Sequence, residues 1–156
     1  MTDSKDLNAL QIRRPSDIPF DTTLRWKADR ATEHAMRLFD NALPADFPHP
    51  VERGTAQDAV AELALRESIR QDVENGQGTR LHTALELGAT WAEVAAALDI
   101  SPEDARALLR QWADGQHHLY LSEQERGIER PLGFTPDQHA AVVALTERSD
   151  DEVRTA

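Results

Sequence analysis

The sequence predicts an all-α fold, a helical bundle, on three observations. Alanine, leucine, glutamate and arginine dominate, while aromatic residues make up only 5% of the chain, a composition that favours helices over strands. Apolar residues recur at steps of three and four along several stretches, as they do on one face of a helix. Four stretches begin with Ser or Thr followed three residues later by an acidic or amide residue, the pattern that caps a helix N-terminus.

The composition limits the classes of protein to which the chain can belong. It has no cysteine, which excludes disulfides and thiolate metal sites. It shows neither the apolar core of a secretory signal nor the ~18 continuous apolar residues that cross a bilayer. We therefore expect a soluble, cytoplasmic protein with no membrane partner, whose 156 residues suit one domain or a small core with arms.

Residues 1–20 are predicted to be a flexible N-terminal arm. They are polar, lack helical periodicity and include an Arg-Pro-Ser sequence near their end. Ile18 and Phe20, which follow that sequence, are expected to attach the arm to the folded body.

Residues 21–75 are predicted to form two long helices, a candidate dimerisation region. The first begins at Asp21 or Thr22 and runs to about Asn41, where a connector with three prolines follows it. Its apolar residues form a stripe that is mostly alanine, so a partner helix from this chain or from a second copy can approach closely. The stripe consists of Leu24, Ala28, Ala31, Ala35, Leu38 and Ala42.

The second long helix is predicted from Thr55 to about Glu74, and Asn75–Gly78 is expected to end it. It carries two neighbouring apolar stripes, and two apolar faces imply contacts on two sides. We therefore expect a homodimer that forms through one of the two long helices. The stripes consist of Ala61, Leu65, Ile69 and Val73, and of Ala56, Val60 and Leu63.

Residues 76–115 are predicted to contain three short helices. The first ends at Gly88, a residue type that often caps a helix C-terminus. The second begins after Thr90, because Thr90 and Glu93 form a capping box. The chain then turns at Asp99, a residue type that tolerates the left-handed backbone conformation.

The third short helix begins at Ser101, with Pro102 at its first position and Asp104 expected to complete a capping box. Its buried side is predicted to consist of Ala105, Leu108, Leu109 and Trp112. The core of the three-helix unit is predicted to consist of Leu81, Leu87, Val94, Leu98, Ile100, Leu108 and Trp112. The side left for solvent or a ligand consists of Glu103, Arg106, Ala107, Arg110 and Gln111.

The stretch GATWAEVAAALDIS resembles the pattern GxSWxEIAxALGVS of bacterial helix-turn-helix proteins, common in actinobacterial regulators and in promoter-recognising sigma domains. The resemblance covers the 25 residues Gly88–Trp112. It implies a trihelical helix-turn-helix unit whose helix from Ser101 enters the major groove of double-stranded DNA.

Two features depart from that pattern. Asp99 replaces the usual turn glycine, and Glu103 and Asp104 place carboxylates at the end of the helix that would approach DNA. A glutamate can still accept a hydrogen bond from cytosine N4. The candidate DNA-binding residues are Ser101, Glu103, Arg106, Arg110 and Gln111, together with Arg13 and Arg14 of the arm.

The net charge of −11 is unevenly distributed. Residues 1–50 carry seven Lys or Arg against eight Asp or Glu, whereas residues 51–156 carry ten against twenty. A protein that binds duplex DNA normally places a positive patch against the phosphates. The basic residues that most resemble such a patch lie upstream, near the N-terminus. Two interpretations stay open: they lie against DNA as an arm and a first helix, or they are ordinary solvated surface charges. These basic residues are Arg13, Arg14, Arg25, Lys27 and Arg30.

Residues 116–148 are predicted to form a C-terminal helical extension, and residues 149–156 a frayed tail. For residues 116–126 two structures remain open: a helix that continues or restarts, which we favour, and a small hairpin like the wing of winged-helix proteins. Thr135 and Gln138 form a further capping box.

No pattern typical of catalysis or cofactor binding occurs. The six histidines form neither an HExxH motif nor a pair at i, i+4 spacing, and no Gly-rich phosphate loop or GxSxG motif is present. His117 and His118 are expected at the surface. We therefore expect no enzyme, no cofactor and no metal. Two functions remain open: a small DNA-binding regulator of transcription, and an acidic helical module that binds a basic protein partner.

Overall fold

The structure, a computed structural model, describes Leu7 and residues 9–152. These residues form α-helices and short 3-10 helices and contain no strand, which confirms the predicted all-α fold. The α-helices are α1 (Leu24–Asp40), α2 (Ala56–Glu86), α3 (Trp91–Leu98), α4 (Pro102–Glu125) and α5 (Pro136–Ala144). The chain divides into two compact units, the first ending at Glu74 and the second beginning at Asn75, and α2 supplies residues to both.

Helix α2 is one continuous helix of 31 residues where the sequence predicts two. Gly76 and Gly78 lie inside it and do not end it. Gly78 is buried, and a Cβ atom at this position would lie 2.1 Å from Cγ of Trp112. The glycine thus allows α4 to pack closely against the last turns of α2. Gly88, with a φ of 102°, follows the helix end as predicted.

The face that α1 buries differs from the predicted alanine stripe. The helix is capped by Thr23, whose hydroxyl accepts a hydrogen bond from the Trp26 backbone N–H at 3.2 Å. Its buried residues are Lys27, Ala31 and His34, so two of the three carry a polar group. The prediction of one alanine stripe was wrong because it counted only apolar residues. Its exposed members are Leu24, Ala28 and Ala42.

The described part of the predicted arm is packed against the first unit. Ile12 and Ile18 are buried in one apolar cluster with residues of α1 and α2, and Pro15–Asp17 forms a 3-10 helix between them. Phe20, in contrast, is almost fully exposed and attaches nothing. The prediction of a flexible arm is therefore corrected for residues 9–20, while residues 1–6 and 8 lie outside the described part. The rest of this cluster consists of Ala31, Ala61, Ala64 and Leu65.

A carboxylate whose side chain is only 12% exposed connects α1 with the start of α2. Asp58 accepts hydrogen bonds from the Thr55 backbone N–H at 2.8 Å and from Nε of Arg37 at 2.8 Å, and its Oδ1 lies 2.8 Å from Nδ1 of His34. The Thr55 N–H, followed by His34 and Arg37, holds the pKa of Asp58 well below its usual range. Each of these bonds favours the charged carboxylate, so the network depends on its ionised form.

Two of the seven predicted core residues of the second unit, Leu81 and Val94, are buried, and four more are only partly buried and pack against the core. Leu87 is 84% exposed and contributes nothing to the core, whereas Trp91, absent from the predicted set, is only 1% exposed. The indole Nε1 of Trp91 donates a hydrogen bond to the Leu145 carbonyl at 2.9 Å. The buried residues are Leu81, Leu85, Trp91, Val94, Ala95, Ala105, Leu109, Ala113, Val142 and Leu145.

Helix α4 extends well past the predicted end of the third short helix. It passes through Gly115 and continues to Glu125, so residues 116–125 are helical and the alternative of a hairpin does not form. The next helix, α5, begins with the predicted capping box of Thr135 and Gln138. It packs against α4 and leads into a 3-10 helix, Leu145–Glu147.

Candidate nucleic-acid interface

Helices α3 and α4 meet at a sharp corner. Thr90 caps α3 in a reciprocal box, in which its hydroxyl accepts the Glu93 N–H at 3.1 Å and the Glu93 carboxylate accepts the Thr90 N–H at 2.8 Å. The helix ends at Asp99, which adopts the left-handed conformation with a φ of 55°. The Ile100 N–H then donates back to the Ala95 carbonyl at 3.1 Å, which closes the corner.

Ser101 caps the start of α4 on the far side of the corner. Its hydroxyl accepts a hydrogen bond from the Asp104 N–H at 3.1 Å and donates one to the Asp104 carboxylate at 2.8 Å. The carboxylate therefore contacts the hydroxyl instead of the Ser101 backbone N–H, which the predicted capping box requires. Pro102 occupies the first helical turn as predicted.

The first half of α4 has a buried face and an exposed face. Ala105 and Leu109 are fully buried in the core. The opposite face is solvent-exposed, and we name it the α4 ridge. Three of its five residues are acidic, so the surface that a ligand of α4 would meet first has a negative charge. The α4 ridge consists of Glu103, Asp104, Ala107, Gln111 and Asp114.

Arg106, predicted to face solvent, is held by the C-terminal part of the unit. Its side chain is only 11% exposed and stacks over the Trp91 ring at 5.3 Å. Its Nε donates to the Thr146 carbonyl at 3.1 Å, and its Nη2 donates to the Arg148 carbonyl at 2.9 Å and to the Asp150 carboxylate at 2.5 Å. These bonds hold Nε and Nη2 of Arg106 against the C-terminal part of the unit, and Nη1 lies 4.0 Å from the Glu103 carboxylate, which corrects the predicted placement of Arg106 toward solvent.

Arg110 lies at the edge of the α4 ridge. Its side chain is 39% exposed, and its Nη1 donates to the Glu103 carboxylate at 3.2 Å. Its Nε makes a longer bond of 3.3 Å to the Thr146 hydroxyl. The pair with Glu103 is exposed, so it contributes little stability and a competing anion can displace it at small cost.

Arg13 and Arg14 lie in the first unit, where the Arg14 side chain pairs with Asp17 and the Arg13 side chain donates to the Gln11 side-chain carbonyl at 2.8 Å. The backbone N–H groups of both residues donate to Asp17 Oδ2, at 2.9 Å and 3.1 Å, and Nε of Arg14 lies 3.1 Å from Asp17 Oδ1. The Arg13 N–H and the Arg14 side chain lower the pKa of Asp17. These bonds fix the turn at Pro15–Asp17, a structural role that the sequence did not indicate.

The remaining members of the predicted positive group also have acidic partners. Lys27 is buried, and its Nζ lies 2.6 Å from the Asp72 carboxylate, which excludes it from any surface patch. Arg25 pairs with Asp29 at 3.7 Å. Arg30 pairs with a neighbouring glutamate one turn along α1. The predicted positive surface is therefore absent from this face of the described first unit.

The prediction of a frayed tail is corrected for residues 149–152, because Asp150 bonds to both α3 and α4, while residues 153–156 lie outside the described part. The segment Thr146–Glu152, here named the C-terminal segment, provides all three acceptors of Arg106. It also reaches the start of α3, where the Asp150 carbonyl accepts the Ala92 N–H at 2.9 Å. No local sequence pattern indicates such a long-range contact. The one signal is Trp91 at the start of α3, because a large apolar side chain at a helix end requires another segment to bury it.

Several histidines of the described residues have structural partners. Nδ1 of His117 lies 2.9 Å from the Phe134 carbonyl, and this residue is partly buried instead of at the surface, while His118 is exposed as predicted. Nε2 of His139 lies 2.6 Å from the Asp114 carboxylate. Across Leu7 and residues 9–152, no three His, Asp or Glu side chains are placed to hold a metal ion.

None of the helices formed by the described residues has both the length and the apolar character that a bilayer span requires. No protein-family model, curated protein or solved structure matches the chain.

Proposed function

We propose that residues 75–152 form a helix-turn-helix unit that binds double-stranded DNA, with α4 as its recognition helix. The observation that supports this most is the corner: α3 ends in a left-handed residue, and Ser101 starts α4 with its first turns exposed. This is the arrangement in which a recognition helix inserts its N-terminal residues into the major groove.

The exposed residues at the start of α4 have groups that can read base edges. Gln111 can pair bidentately with adenine, and Glu103 can accept a hydrogen bond from cytosine N4. Arg110 can reach guanine or a phosphate once DNA replaces its exposed contact with Glu103. Ser101 lies where a phosphate would approach the helix start.

The negative net charge of the unit is expected to make its DNA binding weak and dependent on the base sequence. Residues 75–156 carry seven Arg and fourteen Asp or Glu, so the unit gains little from counterion release. With one phosphate neutralised by Arg110, the slope of log affinity against log salt is expected to be about −1. Specific contacts to bases must then supply much of the affinity.

Selection from a pool of duplexes with a randomised centre tests this proposal. At low salt the full chain is expected to enrich one sequence family. Arg110→Gln should weaken binding to the enriched duplex by about tenfold, the value of one good base contact. The matched control is Arg126→Gln at the far end of α4, which should bind like the wild type. Absence of any enriched family, or equal losses for both variants, would contradict the proposal.

A second function is favoured by the carboxylates of the α4 ridge: binding of a basic protein partner. Glu103, Asp104 and Asp114 lie on the same exposed side of α4, and charge complementarity of this kind selects a positively charged surface.

One variant separates the two functions because it changes them in opposite directions. The double substitution Glu103→Gln and Asp104→Asn removes two negative charges and keeps the shape of the helix start. It should raise affinity for non-specific duplex DNA if α4 binds DNA. It should lower affinity for a lysine- and arginine-rich peptide if the α4 ridge binds a basic protein, whereas Glu125→Gln should leave peptide binding unchanged.

We also propose that the chain forms a homodimer through the outer side of α1 and α2. Met36 and Phe39 of α1 are exposed, Phe39 by 75%, and line a groove of about 340 Å³ with Arg66 of α2. Large exposed apolar side chains in one region are typical of interaction sites. Sedimentation velocity should show a dimer that Phe39→Ser disrupts and that Phe20→Ser, an exposed control, does not.

A further inference from the structure

We propose that the C-terminal segment is a removable cover that holds the helix-turn-helix unit closed to phosphate groups. This inference rests on the proposed DNA binding and adds its regulation. Asp150 occupies, with its own oxygens, two donors of the unit that are suited to an anion: Nη2 of Arg106 and the Ala92 N–H at the start of α3.

The contacts of Asp150 imitate those of a phosphate. Its carboxylate accepts from Nη2 of Arg106 at 2.5 Å, and its backbone carbonyl accepts from Ala92 N at 2.9 Å. A guanidinium and a free N–H in the first turn of a helix are the two kinds of donor that bind phosphate oxygens in proteins. The two donors are therefore suited to a phosphate, and in this structure Asp150 binds them instead.

The cover has an anchored part and a part that can leave. Thr146 is buried at 3% exposure, and its carbonyl holds Nε of Arg106. Asp150, in contrast, has a side chain that is 52% exposed, and it is the last residue with a contact to the unit's donors. Release of residues 148–152 would free Nη2 of Arg106 while Thr146 keeps the side chain in position.

One orphaned group indicates that the closed position is held at a cost. Among the described residues, Nη1 of Arg148 is buried and has no hydrogen-bond partner. A buried charged donor without a partner is unfavourable, and release of the segment returns it to water. The contacts of Arg106 and Ala92 therefore hold the segment in place, whereas the unpaired Nη1 of Arg148 favours its release.

The charge of the segment suits competition with DNA. Glu147, Asp150, Asp151 and Glu152 are acidic, so the segment and a duplex cannot occupy the same surface without strong repulsion. Phosphates of a bound duplex are therefore expected to displace it, and the affinity measured for DNA includes the cost of opening the cover.

The test compares Asp150→Asn with Asp151→Asn in the full chain. Both variants remove one negative charge from adjacent positions, but only the first weakens the contact with Arg106. Binding to a fluorescein-labelled pool of duplexes is expected to be about tenfold tighter for D150N than for D151N, the low end for a charge-assisted hydrogen bond because the pair is half exposed. In parallel, hydrogen exchange of the Ala92 amide should be about tenfold faster in D150N.

The two readouts separate failure of the cover from failure of DNA binding. If the Ala92 amide exchanges at the same rate in D150N as in D151N, the proposal of a cover is wrong, whichever result the duplex binding gives. Faster exchange with equal duplex binding by D150N and D151N also overturns that proposal, and leaves DNA binding in place.

If no variant binds a duplex, the proposed function fails and inorganic pyrophosphate becomes the probe. A shift of the Ala92 amide resonance on adding pyrophosphate to D150N, and not to D151N, would support the cover as a gate for another phosphate ligand. Absence of that shift would overturn both proposals.

Discussion

Replacement of Gly78 by alanine tests the close packing of α4 against the last turns of α2. Alanine is about 1 kcal/mol more favourable than glycine inside a helix. The new Cβ would, however, lie 2.1 Å from Cγ and 2.5 Å from Cβ of Trp112. These atoms are close to the α4 backbone, so rotation of the ring does not relieve the overlap and the helices must shift.

The opposing contributions give a net destabilisation. Trp112 is also held from its other sides, by Phe134 at 5.1 Å and His82 at 5.6 Å between ring centroids. Over-packing costs about 1–3 kcal/mol, and this contact belongs at the upper end. After the helix gain of about 1 kcal/mol, we expect Gly78→Ala to lower the free energy of unfolding by about 2 kcal/mol, measured by urea unfolding with circular dichroism.

Two matched glycines of the same helices give the controls. The atoms nearest to a Cβ at Gly76 are those of the Arg80 guanidinium, at the far end of a long side chain, so Gly76→Ala should be neutral or stabilising by about 0.5 kcal/mol. A Cβ at Gly115 meets nothing within 4 Å, so Gly115→Ala should stabilise by about 1 kcal/mol. If Gly78→Ala is as stable as Gly76→Ala, the packing of Trp112 described above is wrong.

Three further predictions concern stability. Asp58→Asn should cost about 3 kcal/mol in urea unfolding, because Arg37 and His34 lose their buried partner, whereas the exposed control Asp29→Asn should cost under about 0.5 kcal/mol. Because folding lowers the pKa of Asp58, its contribution should be constant above about pH 5 and be lost as the pH falls below about 3.9, with a flatter acid limb for Asp58→Asn in pH-dependent unfolding. Ser101→Ala should cost about 1 kcal/mol in urea unfolding, and no loss would contradict the cap.

The features that the sequence predicts well are those determined by neighbouring residues. The caps at Thr90 and Thr135 follow from side chains that bond to backbone groups within three residues, and the turn at Asp99 follows from a residue type that tolerates the left-handed conformation. The all-α fold follows from the same local information, because helix propensity and periodicity extend along most of the chain.

The features that the sequence does not reveal depend on partners far along the chain. Gly76 and Gly78 are typical of a helix end, yet the helix continues through both. Trp112 packs against the helix at Gly78, where a larger residue does not fit. The periodicity of α4 correctly places Arg106 outside the apolar core stripe. It does not show that residues from Thr146 onward cover that side chain, because no local rule relates positions 40 residues apart.

Amide resonances of the isotope-labelled full chain, followed while a pool of duplexes is added at low salt, show directly whether α4 binds DNA. We expect the shifted residues to cluster in Ser101–Gln111 and at Ala92, and the resonances of Asp150 and its neighbours to shift as the segment is displaced. Resonances that do not shift, or shifts confined to the first unit, would contradict the assignment of α4 as the DNA-binding helix.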